Sequence, residues 1–310
     1  MTHVPLCSTG LATVAGARPG GRVAARGWTR PRIRPLDVVS VVWLVLLLAF
    51  AVIPMLWMLS TSLKGQFAAL SQPPEWIPSH PTLAQYQTLL SPTGTIGPVF
   101  LRYFLNSMIV SLSTTVLGVL IAIPAAYAFS RFQFPGRDIL FFAVLVRNMF
   151  PVVVFLIPLF ILMRTLHLIN THWSLILTYM TFGLPLSIWL LKGFYDNIPE
   201  ELERAARIDG ASRFKAFWLI IMPLSSPGII ATAIYAFIGA WNEYVYALTF
   251  LNSESLLTLP VGLQHFFTEF ATNWPGLMAA AFIMSVPVVV MFMLLQKQFV
   301  QALTEGAVKS

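Results

Sequence analysis

NIPEELERAARIDGASRFKAFWLIIMPLSSPG, residues 197–228, is a polar stretch set between the fourth and fifth long apolar runs of the chain. Its residues spell two short helices and a turn. Asn197 can cap the first helix with Pro199 in its first turn, and Glu200, Glu201 and Glu203 suit the positive end of the helix dipole. Gly210 can end that helix in a left-handed conformation that other residues adopt only with strain. The second helix runs from about Ser212 to Ile221, with Phe214, Phe217 and Trp218 at helical spacing, and Pro223 and Pro227 break it before the next apolar run.

What surrounds this stretch is membrane sequence. The chain is 57% hydrophobic with 10% charged residues, and its mean hydropathy of +0.77 lies far outside soluble globular usage. A helix needs roughly 20 apolar residues to cross the hydrocarbon core. Six runs meet that requirement, at about 38–60, 103–130, 139–163, 172–191, 228–250 and 276–296. The expected fold is therefore an all-α polytopic membrane protein of six transmembrane helices. Residues 36–310 form the membrane domain, behind an unpatterned basic tail over 1–35. The run at 38–60 is long enough to act as an uncleaved anchor.

Basic residues set the expected orientation. With six spans, fifteen of the nineteen Lys and Arg fall in the two termini and the loops 131–138 and 192–227, while Lys64, Arg102 and Arg164 lie on the opposite side. The positive-inside rule then places both termini and the 197–222 loop in the cytoplasm. The formal net charge of +7 reads as topology, with no call for nucleic acid as a partner. Cys7 is the only cysteine, so no internal disulfide can form.

Two charges fall inside spans, Arg147 in the third and Glu243 in the fifth. Each costs on the order of 2.5–3.5 kcal/mol unless it faces protein or water. At about 1.5 Å per residue, Arg147 sits roughly 12 Å from one end of its span and Glu243 roughly 10 Å from the opposite end of its own. A direct pair needs tilt or a bridging water, so each is expected to bond polar groups in the bundle interior or at a subunit interface, with Asn242 beside Glu243. Prolines at 54, 124, 151, 158, 185 and 287 predict kinks. IGAW at 238–241 and MAAA at 278–281 permit close helix contact.

No catalytic constellation appears. There is no G-x-x-x-x-G-K-[ST] string to cradle ATP phosphates and no G-x-S-x-G elbow, and His3, His80, His167, His172 and His265 lack metal-ligand spacing. The chain is read as neither an enzyme nor a metal site. Glu243, the one intramembrane acid, leaves a proton-coupled secondary transporter as the alternative function.

The 197–228 stretch resembles the EAA loop of ABC importer permeases, with Ala205, Ala206, Gly210, Ile220 and Pro223 at the matching places. Arg204 stands where that motif has its glutamate, and Met222 where it has leucine. The second change conserves volume; the first reverses a charge. RNMFP at 147–151, WNEY at 241–244, TLPVGL at 258–263, NWPGLMAAA at 273–281 and the terminal GAVKS are similar to carbohydrate-importer permeases of the maltose and trehalose type.

The resemblance implies a heteromeric sugar importer in the bacterial cytoplasmic membrane, in contact with membrane lipid. It implies a second permease chain, two ATP-binding subunits that hold ATP and Mg, and an external sugar-binding protein. This chain itself would carry no cofactor. The resemblance further implies ATPase coupling through Glu201, Glu203, Arg204, Ala205, Ala206, Asp209, Gly210, Ala211 and Phe214. Glu203 or Glu201 would take over the pairing that Arg204 cannot make. An outer loop at 251–275 would dock the binding protein, and a tail at 300–310 would reach between the ATPases; Phe266, Phe267, Phe270 and Trp274 in that loop suit either docking or an aromatic anchor at the membrane interface. In the maltose system the sugar contacts lie on the partner permease, so no sugar-binding residue is assigned here.

Overall fold

The computed structural model describes residues 35–266 and 272–307, and these are built from helices. In chain order they are α1 (Pro35–Ser62), α2 (Gln66–Ala69), α3 (Ala84–Leu90), α4 (Ile96–Arg131), α5 (Arg137–Val146), α6 (Leu156–Thr165) and α7 (His172–Asn197). There follow α8 (Glu200–Ile208), α9 (Arg213–Ala216), α10 (Met222–Leu224), α11 (Ser226–Trp241), α12 (Val245–Phe250), α13 (Leu259–Gly262) and α14 (Trp274–Ala307). The tail with Cys7, together with Phe267 and Phe270, lies outside the described residues. The chain divides into two units, Met1–Ala51 and Val52–Ser310. Within the first, residues 38–51 continue α1 as an almost uniformly exposed apolar helix.

In the second unit α4 and α7 pack along each other, α11 packs on both, and α14 packs on α11. Small residues make these approaches possible: Ser107, Ser111, Thr114, Thr115, Gly118, Ala122 and Ala126 are buried on α4, and Ser174, Thr178 and Ser187 on α7. Without water to expel between spans, such close van der Waals contact is what holds helices together. Gly228 marks a tight approach, because a Cβ there would stand 2.4 Å from the Phe194 ring. The small residues of the last two spans also serve packing. Ala240, Ala279 and Ala280 are buried, and the Trp241 indole donates to the Met284 carbonyl at 3.1 Å.

The six apolar runs are present, but two are not continuous helices. Val38–Ser62, Ile96–Arg131, His172–Asn197 and Trp274–Gln296 qualify as uninterrupted spans, while Arg137–Met149 and Val152–Thr165 meet at 101°. That break holds Phe150 and Pro151 between two 3₁₀ turns, because Pro151 has no N–H to continue the ladder. The helical stretch Arg213–Leu224 meets α11 at 72° ahead of the fifth run, and the run itself opens at Asn242–Tyr244, so α12 is a separate helix. Arg147 and Glu243 therefore stand at helix breaks, not inside unbroken spans.

The 197–222 stretch also begins differently. α7 runs on to Asn197, whose amide donates back to the Gly193 carbonyl at 3.0 Å, and Pro199 takes the cap position of α8 without a side-chain cap. Much of 251–266 folds onto the bundle: Leu251, Thr258, Leu259 and Val261 are buried. The Asn106 amide donates to the Ser255 and Leu257 carbonyls at 3.0 and 2.9 Å, and the Ser107 hydroxyl accepts the Leu259 N–H at 2.7 Å.

Candidate functional site

The turn between α8 and α9 follows from Gly210. Its φ of +86° lets the Ala211 N–H reach the Ala206 carbonyl at 2.9 Å while the Gly210 N–H reaches Arg207 at 3.2 Å. This is the paired 6→1 and 5→2 bonding of a Schellman end. Ser212 then caps α9, its hydroxyl accepting from the Lys215 N–H at 3.2 Å. Past Ala216 the backbone widens into a π-turn over Phe217–Ile221 before Pro223, where a donor is missing from the helix ladder.

Glu203 points inward. Its carboxylate accepts from Arg131 Nε and from the Tyr127 hydroxyl, both at 2.7 Å, and the two charged side chains are 11% and 7% exposed. Arg131 also donates through Nη2 to the Ile198 carbonyl at 2.7 Å. Tyr127 packs against Phe217 with ring centres 4.5 Å apart and the rings tilted by 55°, and it meets Tyr195 edge-on at 6.0 Å. The Arg213 guanidinium lies 4.7 Å from the Phe132 ring centre. One buried ion pair and an aromatic nest thus fasten both loop helices to the ends of α4 and α7.

Arg204 points outward and bridges to Glu200, four residues earlier, at 2.8 Å. Glu201, Ala205, Asp209, Gly210 and Phe214 share its exposed surface, and Ala206 and Ala211 are half-buried. Arg204, Arg207, Ile208, Ala211 and Arg213 line a shallow depression of about 670 Å³ around the Gly210 turn. Exposed Ile208, Phe214 and Trp218 give the surface an apolar component. The expectation that Glu203 replaces the missing surface acid is corrected by this geometry: the side chains of neighbouring helical residues diverge, and in this chain Glu203 is spent on Arg131.

Among the described residues no ion pair joins Arg147 to Glu243. Glu243 caps α12, accepting from the Tyr246 and Ala247 N–H groups at 2.9 and 3.2 Å and from the Tyr179 hydroxyl at 2.6 Å. Tyr246 in turn donates its hydroxyl to the Val152 carbonyl at 2.8 Å, which ties the two breaks together. The Arg147 guanidinium lies 3.6 Å from the Phe182 ring centre, with Nη1 bonded to Asn148 Oδ1 at 2.9 Å and Nη2 buried without a hydrogen-bond partner. Asn242 is exposed, its amide donating to Ile238. Sequence reading missed Tyr127, Arg131, Tyr179 and Tyr246, because nothing in the spacing of a buried Tyr or a span-end Arg says which distant acid it will meet.

Residues 115–305 match the family of binding-protein-dependent transport system inner membrane components. The chain belongs to this family. As one of its permeases, it resembles the sulfoquinovosyl glycerol permease SmoH of Agrobacterium fabrum, 39% identical over 85% of this chain and 91% of that protein. The trehalose permease SugB of Mycobacterium tuberculosis is 36% identical over 85% and 94%, and the trehalose/maltose permease MalG of Thermococcus litoralis 35% identical over 88% and 96%. A crystallised bacterial ABC transporter that imports the acidic polysaccharide alginate shares the fold, with a TM-score of 0.74 at 22% identity over 88% of this chain and 99% of its own. The chain is thus a multi-pass inner-membrane subunit of an importer that depends on a binding protein, and all the residues discussed above from Thr115 to Trp274 lie inside the matched region.

Proposed function

We propose that this permease carries a saccharide across the membrane, pairs with a second, related permease chain, and takes its energy from two ATP-binding subunits seated on the 197–222 loop. The relatives named for sulfoquinovosyl glycerol, trehalose and maltose transport support the substrate class. The observation that carries the coupling role is the split of the loop into an exposed face around Arg204 and Phe214 and a buried face around Glu203. A subunit closing on the first face would displace α8 and α9, and the buried ion pair would pass that displacement to α4 and α7. ATP and Mg would sit in the partner subunits, and the spans would move between two discrete arrangements biased by nucleotide. On this reading both termini and the loop are cytoplasmic, and the 251–275 side meets the sugar-binding protein.

Two measurements test this. Replacing the Walker lysine of the partner ATPase abolishes sugar uptake if the transport is ATP-driven, whereas uptake that persists and collapses with the proton gradient overturns the proposal. In a Cys7→Ser background, Asn252→Cys is expected to react with an impermeant thiol reagent from outside and Ser212→Cys is not. The opposite labelling pattern removes the loop from the ATPase side.

A further inference from the structure

After α1 ends at Ser62 the chain turns back on itself. The Ser60 hydroxyl donates to the Trp76 carbonyl at 2.6 Å, and the Thr82 N–H donates to the Leu63 carbonyl at 2.8 Å. The Lys64 ammonium donates to the Glu75 carbonyl and lies 4.4 Å from the Trp57 ring centre, which Trp76 meets edge-on at 4.9 Å. The Gln66 amide donates at 2.8 Å to the carbonyl of Thr272, two residues before α14 begins. Residues 63–82 are therefore held level with the last turn of one span and the first turn of another. At that level one candidate span ends, at Ser62, and another begins, at Trp274.

The segment is apolar on its exposed side. Phe67 and Ile77 are 92% and 85% exposed, and Leu70 and Trp76 are exposed as well. Lys64 is buried, and the half-buried Glu75 carboxylate accepts from the Ser79 hydroxyl and N–H at 3.3 and 3.4 Å. Met55 and Leu56, near the end of α1, are exposed too, so apolar exposure carries on from the span into the segment.

We infer that residues 65–78 form an interfacial anchor, with Phe67, Leu70, Trp76 and Ile77 seated in the headgroup and upper acyl region of the bilayer, fixing the depth of α1. Aromatic rings beside a span end suit that layer, where one side of a residue meets hydrocarbon and the other meets water. The competing occupant of the same face is the binding protein.

Single nitroxide labels at Phe67→Cys and Ile77→Cys, in a Cys7→Ser background and in the assembled transporter in phospholipid vesicles, separate the two. Oxygen, which concentrates in lipid, is expected to relax both labels several-fold more than an aqueous nickel chelate, with the reverse order at Asn252→Cys. Labels at 67 and 77 that follow the Asn252 pattern overturn the anchor, and chelate access lost on adding binding protein would assign the face to that partner instead. Uptake measured on the same vesicles keeps this outcome separate from that of the proposed transport function.

Discussion

The loop at 197–222 and the paired breaks at 147–151 and 242–244 both place charge where apolar sequence dominates, yet they dispose of it in opposite ways. In the loop one carboxylate, Glu203, is turned inward onto Arg131, and the remaining charges stay on the surface. At the breaks the carboxylate of Glu243 is consumed by three donors of its own chain, and Arg147 is left stacked on Phe182 without an acid. Water decides the difference. A loop helix can leave charge solvated and available to a partner, whereas a break inside a span has only its own chain to draw on, which satisfies Glu243 and leaves Arg147 Nη2 without a hydrogen-bond partner. The loop is therefore a surface with one internal fastening, and the breaks fasten their one carboxylate internally while Met149 and Phe150 beside them stay exposed.

The largest effect should come from the loop's fastening. Glu203→Ala leaves the Arg131 guanidinium buried and unpaired, and removing one partner of such a pair costs about 3–5 kcal/mol. Thermal unfolding of the purified transporter should show a clear loss, and sugar uptake should fall with it. Tyr127→Phe deletes one hydroxyl from the same carboxylate and should cost about 1 kcal/mol. If Glu203→Ala is as mild as Tyr127→Phe, the ion pair does not hold the loop.

Glu243→Ala removes the cap of α12 and strands the Tyr179 hydroxyl, at an expected cost of about 2–3 kcal/mol. Glu243→Gln keeps an acceptor and should recover part of that stability. The comparison sharpens further with a protonophore: a carboxylate used as a cap predicts uptake that is indifferent to the proton gradient in wild type and Glu243→Gln alike. Loss of uptake in the wild type on adding the protonophore, with ATP maintained, would return Glu243 to a transport role.

How far each region could be read beforehand follows the same division. Gly210 announced the turn, because a left-handed residue after a helical run leaves few alternatives, and the six apolar runs gave the spans. The breaks were less visible. Pro151 carried a signal for the first, but Asn242–Tyr244 contains neither Pro nor Gly, and only the side chain of Glu243 bonding three and four residues on creates the second. The inward turn of Glu203 was invisible to helical spacing, since its partner Arg131 lies 72 residues away and nothing in either local sequence names the other.

Gly210→Val should have a smaller effect on stability, about 1–2 kcal/mol, because a β-branched residue at positive φ is strained. Beyond the flanking residues nothing lies within 4 Å of an added Cβ, so the cost comes chiefly from the backbone. Gly210→Asn, which tolerates that conformation, should lose less. The sensitive readout is the ratio of uptake to ATP hydrolysis, since the turn sets the angle between the two loop helices. A variant that unfolds no earlier and keeps the wild-type ratio would show that the angle is immaterial to coupling.

Arg204→Ala should barely change the chain. Arg204 and Glu200 are both largely exposed, and an i,i+4 pair of that kind contributes about 0.3–0.5 kcal/mol. Association with the ATPase is where the substitution should register, because Arg204 is exposed and lines the depression around Gly210, while Glu203 is buried. A cationic side chain there calls for an acid on the partner. A double-mutant cycle between Arg204→Ala and alanine substitutions of acidic residues on the docking face of the ATPase should reveal one pair with interaction energy beyond additivity. Strict additivity with every such acid, together with unchanged affinity for Arg204→Ala, would leave the outward face of α8 to Phe214 and its apolar neighbours. The reversed charge would then be a solvated substitution held only by Glu200.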